Sequence, residues 1–119
     1  MRGYDSRAIM TEANDDDVLV VLCTCPDESV AVAIARKLVA ERRAACVNIV
    51  PRVVSIYEWE GAVQQDAEVL AIIKTTRRCY PGLEAAIVAQ HPYELPEIIA
   101  VSIDSGLNRY LEWVSGTTR

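Results

Sequence analysis

The chain has 119 residues, 51% of them hydrophobic, with no phenylalanine, a formal charge of −5 and an isoelectric point near 4.8. That is enough for one domain with a real core, filled by valine, isoleucine, leucine and alanine. The acidic balance excludes an electrostatic nucleic-acid binder, because Arg42-Arg43 and Arg77-Arg78 are isolated pairs at predicted element ends and make no phosphate-neutralising stripe.

Residues 1–17 lack the basic-then-apolar layout of a secretory signal, and their Asp15-Asp16-Asp17 run reads as a loosely ordered leader before a single domain at 18–119. Val18 to Cys25 is a near-continuous valine-rich run, as expected of a strand covered on both faces. Pro26 ends it, and Asp27 and Glu28 put negative charge where a following helix would begin. From Val30 to Arg43, Val30/Ile34/Leu38 and Ala31/Ala35/Val39 recur at i, i+4, i+8 and predict an amphipathic helix.

Ala45 to Glu60 is β-rich and long, interrupted by Pro51, which predicts a bent edge strand. A turn at Glu60-Gly61-Ala62 returns the chain as a second strand over Glu68–Thr76, giving a long hairpin. Pro81 opens a second helix, carrying Leu83, Ala86 and Ile87, and His91-Pro92 ends it because a residue before proline is pushed out of the helical region. Ile98–Ile103 is the last strand, and Leu107–Val114 a short C-terminal helix. The order β-α-β-β-α-β predicts an α+β, ferredoxin-like sandwich. A hairpin this long overhangs a four-stranded sheet, and its unpaired apolar edge predicts self-association in a closed ring.

No segment approaches the roughly 18 apolar residues of a membrane span, so the chain is expected to be cytoplasmic, with no membrane or nucleic-acid partner. There its four cysteines are expected to stay reduced; their spacing at 23, 25, 46 and 79 matches no paired CxxC zinc framework. A single histidine allows no Ser-His-Asp grouping, and no glycine-rich phosphate loop is present. The reading is therefore of a protein that is not an enzyme.

Cys23 and Cys25 lie two apart on one strand, with both thiols on the same face about 6.6 Å apart along it. Such a pair suits a soft cation such as Cu(I), whereas Cys23 alone is equally a small buried hydrophobe. His91 is either an imidazole ligand needing partners from elsewhere in the fold or a helix C-terminal cap. Tyr57, Trp59, Lys74, Tyr93, Glu94 and Glu97 form a polar-aromatic set expected to line a subunit cleft. Lys74, if buried, needs a carboxylate such as Glu97, and the pair leaves open a pocket for a small anion or metabolite.

Read together, several fragments resemble the CutA divalent-cation tolerance family. They are Leu22-Cys23-Thr24 with Pro26-Asp27-Glu28, Ala44-Ala45-Cys46-Val47-Asn48-Ile49-Val50-Pro51, Ser55-Ile56-Tyr57 with Trp59-Glu60-Gly61, Lys74-Thr75-Thr76, and His91-Pro92-Tyr93-Glu94 with Pro96-Glu97. The resemblance spans about Val18 to Val114. It implies a ferredoxin-like fold, a homotrimer built through the long hairpin, a likeness to PII signalling trimers, and binding of copper or another divalent metal ion. It implies copper ligation by Cys23 and by His91 at the second of two adjacent histidine positions, the first of which is Gln90 here; Cys25, where many relatives have no thiol, is not part of that implied set. An alternative implied role is a PII-like adaptor whose clefts hold a small metabolite or whose loops contact a protein partner.

Overall fold

The computed structural model describes residues 13–119, so residues 1–12 of the expected leader lie outside the described residues. Seven elements follow in chain order. They are β1 (Val18–Cys25), α1 (Glu28–Ala40), β2 (Cys46–Trp59), β3 (Ala62–Thr76), α2 (Tyr80–Gln90), β4 (Ile98–Ser102) and α3 (Asn108–Thr117). The strands form one four-stranded antiparallel sheet in the order β2-β3-β1-β4, which is the expected ferredoxin-like plan.

The pleat sorts the sheet residues by parity. Val21, Cys23 and Cys25 of β1 oppose Ile73, Ala71 and Val69 of β3, and all six are buried beneath α1 and α2. The helices contribute Ala31, Ile34 and Leu38 from α1 and Leu83 and Ile87 from α2. The other face carries Val20, Leu22, Leu70, Ile72, Ile99 and Val101, and there, among the described residues, only α3 covers part of the sheet, packing Leu111 and Val114 on Val18, Ala45 and Ile103. Ile99 and Val101 stay half-exposed.

Helix boundaries follow local chemistry. Asp27 caps α1 by accepting the Val30 amide at 2.9 Å, and this hydrogen bond holds its carboxyl below the ordinary range. The helix stops at Ala40, three residues short of the expected Arg43. Arg42 adopts a left-handed φ of 61° and donates its amide to Val39, while the Arg43 amide reaches Leu38. That pair of bonds is a Schellman closure with arginine where glycine is usual.

The hairpin turns on Glu60 and Gly61, both at positive φ, between the paired Trp59 and Ala62. Two such residues match the right-handed twist of the flanking strands. The register shifts between Val50 and Val53, so Pro51 sits at a bulge on an edge strand, where its missing N–H costs nothing. β3 begins at Ala62, earlier than the expected Glu68, because the hairpin is a two-sided exposed ribbon whose Gln64-Gln65-Asp66 carry no apolar alternation. Upstream of β1, the carbonyls of Asp15 and Asp17 accept the amides of Arg78 and Arg77, both at 2.9 Å. Among the described residues, no helix is long and apolar enough to cross a membrane.

Candidate metal cluster and adjoining groove

At the end of β1 the core turns from hydrocarbon to sulfur. Cys23 and Cys25 point to the helix side of the sheet, each 1% exposed. The chain leaves α2 at Gln90, and His91 takes an extended conformation (φ −76°, ψ 136°) ahead of Pro92, which drops its ring beside the two thiols. The two sulfurs and one ring nitrogen of His91 lie within 4.8 Å of one another, the only such group of three donors among the described residues. Metal–sulfur bonds of about 2.3 Å and metal–nitrogen bonds of about 2.0 Å put such donors a little under 4 Å apart, so modest contraction would close the set on one ion.

His91 is also held by the backbone. Its Nδ1 accepts the Tyr93 amide at 3.1 Å, so that nitrogen carries no proton; Nε2 therefore bears it and donates to the Thr24 carbonyl at 2.8 Å. A ligating histidine commonly donates its second N–H to a carbonyl, which orients the ring. Both ring nitrogens are engaged here, so coordination requires the imidazole to release one of these bonds. The thiols are coupled to each other: the Cys25 sulfur, and burial after it, pushes the Cys23 thiol far above its ordinary 9.0, while the Cys23 thiol holds Cys25 below it. The pair thus gives up one proton readily and retains the second, since two bare thiolates in a buried pocket repel.

Gln90 brings nothing to this cluster. Its Oε1 is buried and has no hydrogen-bond partner among the described residues. Cys46 is half-buried at the start of β2 and Cys79 is buried at the entry to α2; neither joins the group of three donors.

On the opposite sheet face, the same end of the sheet forms a groove of about 710 Å3. Ser55, Tyr57 and Trp59 of β2 make one wall, Glu68 of β3 and Thr24 of β1 the floor, and the loop from Tyr93 to Glu97 the other wall. Glu68 is 8% exposed and accepts the Tyr93 phenol at 2.7 Å. Tyr57 likewise donates to Asp66. Burial, and then the Glu68 carboxylate, pushes the Tyr93 phenol well above its ordinary value, so it remains a donor. Asp66 does the same for Tyr57.

The structure brings Tyr57, Trp59, Tyr93, Glu94 and Glu97 together around this groove within one chain, but not Lys74. Lys74 pairs with Val20 and Cys46 six residues further along β3 from Glu68, about 20 Å away, and its ammonium donates to Asn48. The expected Lys74–Glu97 ion pair is absent within the chain, because strand register sets which side chains meet. With Lys74 elsewhere, the charged residues lining the groove among the described residues, Glu58, Glu68, Glu94 and Glu97, are all acidic. Glu68 was not foreseen; its signal in the sequence is an acidic residue immediately before the apolar run Val69-Leu70-Ala71.

A model of the CutA1 divalent ion tolerance protein family matches residues 19–117. The chain is 50% identical over 99 residues to the divalent-cation tolerance protein CutA of Thermus thermophilus, covering 83% of this chain and 96% of that one. It is 46% identical over 101 residues to Protein CutA, chloroplastic, of Arabidopsis thaliana, covering 85% of this chain but 56% of that longer protein. The solved structure of the Thermus thermophilus protein superposes with a TM-score of 0.84 at 49% identity, covering 86% of this chain and 99% of that one.

Proposed function

The chain belongs to the CutA1 divalent ion tolerance family, and we propose that it is a non-enzymatic cytoplasmic homotrimer that captures a soft metal ion, copper above all, through Cys23, Cys25 and His91. The observation that carries this reading is the convergence of two thiols and an imidazole within 4.8 Å in an otherwise apolar core. Thiolate and imidazole donors favour Cu(I) over hard divalent ions, and a buried pocket excludes competing water. Cys25 supplies the donor that Gln90 does not.

A reducing compartment fits this role, because all four cysteines are free and the paired thiols must stay unoxidised to bind. Support for the trimer comes from surfaces that water should not face. Val54, Ile56 and Val63 on the hairpin are 56%, 68% and 77% exposed, and among the described residues both β2 and β4 present an unpaired edge. Closed rotational symmetry satisfies such edges without open-ended growth.

Titration of the native oligomer with Cu(I), read by mass spectrometry, tests both parts at once. The expected result is a trimer taking up one ion per chain, with uptake lost in Cys25→Ser and reduced in His91→Ala. A trimer whose copper uptake is the same in Cys25→Ser would overturn the metal assignment, and a folded monomer would overturn the assembly.

A further inference from the structure

On the reading that Cys23, Cys25 and His91 take up a metal ion, we propose that the bond from the Tyr93 amide to His91 Nδ1 is a latch that capture must open. Occupancy of the cluster then loosens the loop from Pro92 to Glu97. The ground is the proton count of the imidazole. A neutral ring has one N–H and one free lone pair. Here the lone pair, on Nδ1, accepts the Tyr93 amide at 3.1 Å, and the N–H, on Nε2, donates to the Thr24 carbonyl at 2.8 Å. Either route to a ligand nitrogen breaks the same bond. If Nδ1 ligates, its lone pair is spent and the Tyr93 amide loses its acceptor. If Nε2 ligates, the proton must move to Nδ1, and that N–H then faces the Tyr93 N–H, donor against donor. The bond to Thr24 survives the first route; the bond to Tyr93 survives neither.

The loop is the part free to yield. His91 is anchored to α2, where its own amide donates to the Ile87 carbonyl at 2.8 Å, and it is buried. Among the described residues, only two hydrogen bonds hold residues 92–97, and both run through Tyr93. One is the amide bond to Nδ1; the other is the phenol bond to Glu68. The Tyr93 ring also lies against the imidazole, with centroids 4.7 Å apart. Opening the latch therefore leaves the loop held by the phenol alone, and any shift of the imidazole toward the thiols disturbs the ring that carries that phenol. Linkage makes the effect reciprocal: whatever fastens the loop must weaken capture, and whatever frees it must strengthen capture.

Nuclear magnetic resonance of the isotope-labelled native protein reads the latch directly, as the nitrogen–nitrogen coupling across the Tyr93 N–H···Nδ1 bond, while mass spectrometry counts the Cu(I) taken up. The coupling is expected in the metal-free protein, lost at saturation with Cu(I), and retained when Cu(I) is added to Cys25→Ser. Tyr93→Phe keeps the amide but frees the ring from Glu68, and is expected to bind Cu(I) at least about fivefold more tightly. Copper uptake with the coupling intact would overturn the latch and leave the metal assignment standing. So would an unchanged affinity in Tyr93→Phe, or loss of the coupling in copper-treated Cys25→Ser. No uptake at all would overturn the metal assignment and the latch with it.

Discussion

Tyr93 Oη and Glu68 Oε2 are joined by a 2.7 Å hydrogen bond that ties the loop after α2 to the middle of β3 across 25 residues of sequence. The bond closes the floor of the acidic groove, and through the Tyr93 amide it is one residue pair away from the ring of His91. Groove and metal cluster thus share a single strut. Tyr93→Phe removes the only hydrogen-bond donor that Glu68 has among the described residues. A buried carboxylate stripped of its donor costs about 1–3 kcal/mol, and a loss in that range is expected in urea denaturation. Tyr57→Phe, at an exposed site, should leave the midpoint unchanged.

The core beneath the helices is held by shape. Leu38 is fully buried where α1 meets the sheet. Leu38→Ala leaves a cavity that the close-packed surroundings refill only in part, and a loss of about 2–5 kcal/mol is expected. A loss under about 1 kcal/mol, below the range for such truncations, would show that α1 can resettle onto the sheet.

Arg42 ends α1 in the left-handed region, at φ 61°. A side chain there costs roughly 1–2 kcal/mol, part of which glycine returns through its looser unfolded state. The contacts made at this position are backbone ones: the Arg42 carbonyl accepts the Arg119 amide at 2.8 Å, and it survives any substitution. Arg42→Gly is therefore expected to stabilise the chain by about 0.5–1 kcal/mol, read as a raised thermal midpoint.

How much of this was legible in the residues varies with the range of the interaction. The bounds of β1 match the apolar run, and Pro51, Gly61 and Pro92 each mark a bend, because those signals are local. The start of β3 was hidden, since polar glutamines on an overhanging ribbon look like a turn. Cys23 and Cys25 share a face by parity alone, but His91 reaches their strand, at Thr24, across 67 residues, and nothing in the spacing says so. That Lys74 and Glu97 do not meet within the chain has the same origin: composition offers opposite charges, and register decides which side chains of one chain come together.

Alkaline titration should reveal the half-buried phenols. Burial, with a 2.6 Å hydrogen bond to Glu84 after it, raises Tyr80 from an ordinary 10.0 to about 12, and Tyr93 is raised in the same direction. A raised acid binds more protons when folded than when unfolded, so its contribution is fully present below pH 10 and is lost as pH climbs toward 12. Stability is expected to fall across that window. Tyr80→Phe should flatten part of the decline, and an unaltered slope in that variant would remove Tyr80 from the account.

Gln90 tests whether the metal cluster is complete without it. Its buried Oε1 has no hydrogen-bond partner among the described residues, and exchanging the amide's oxygen and nitrogen would only leave a donor in the same position. An unsatisfied buried polar atom costs roughly 1 kcal/mol or more, which an apolar group of similar shape avoids. Gln90→Leu is accordingly expected to match or exceed the parent's stability by about 1 kcal/mol in denaturant. Copper uptake should stay the same, because Cys23, Cys25 and His91 already form the group of three donors. Loss of copper from Gln90→Leu, with the fold intact, would mean that the amide oxygen turns inward on binding and serves as a fourth donor.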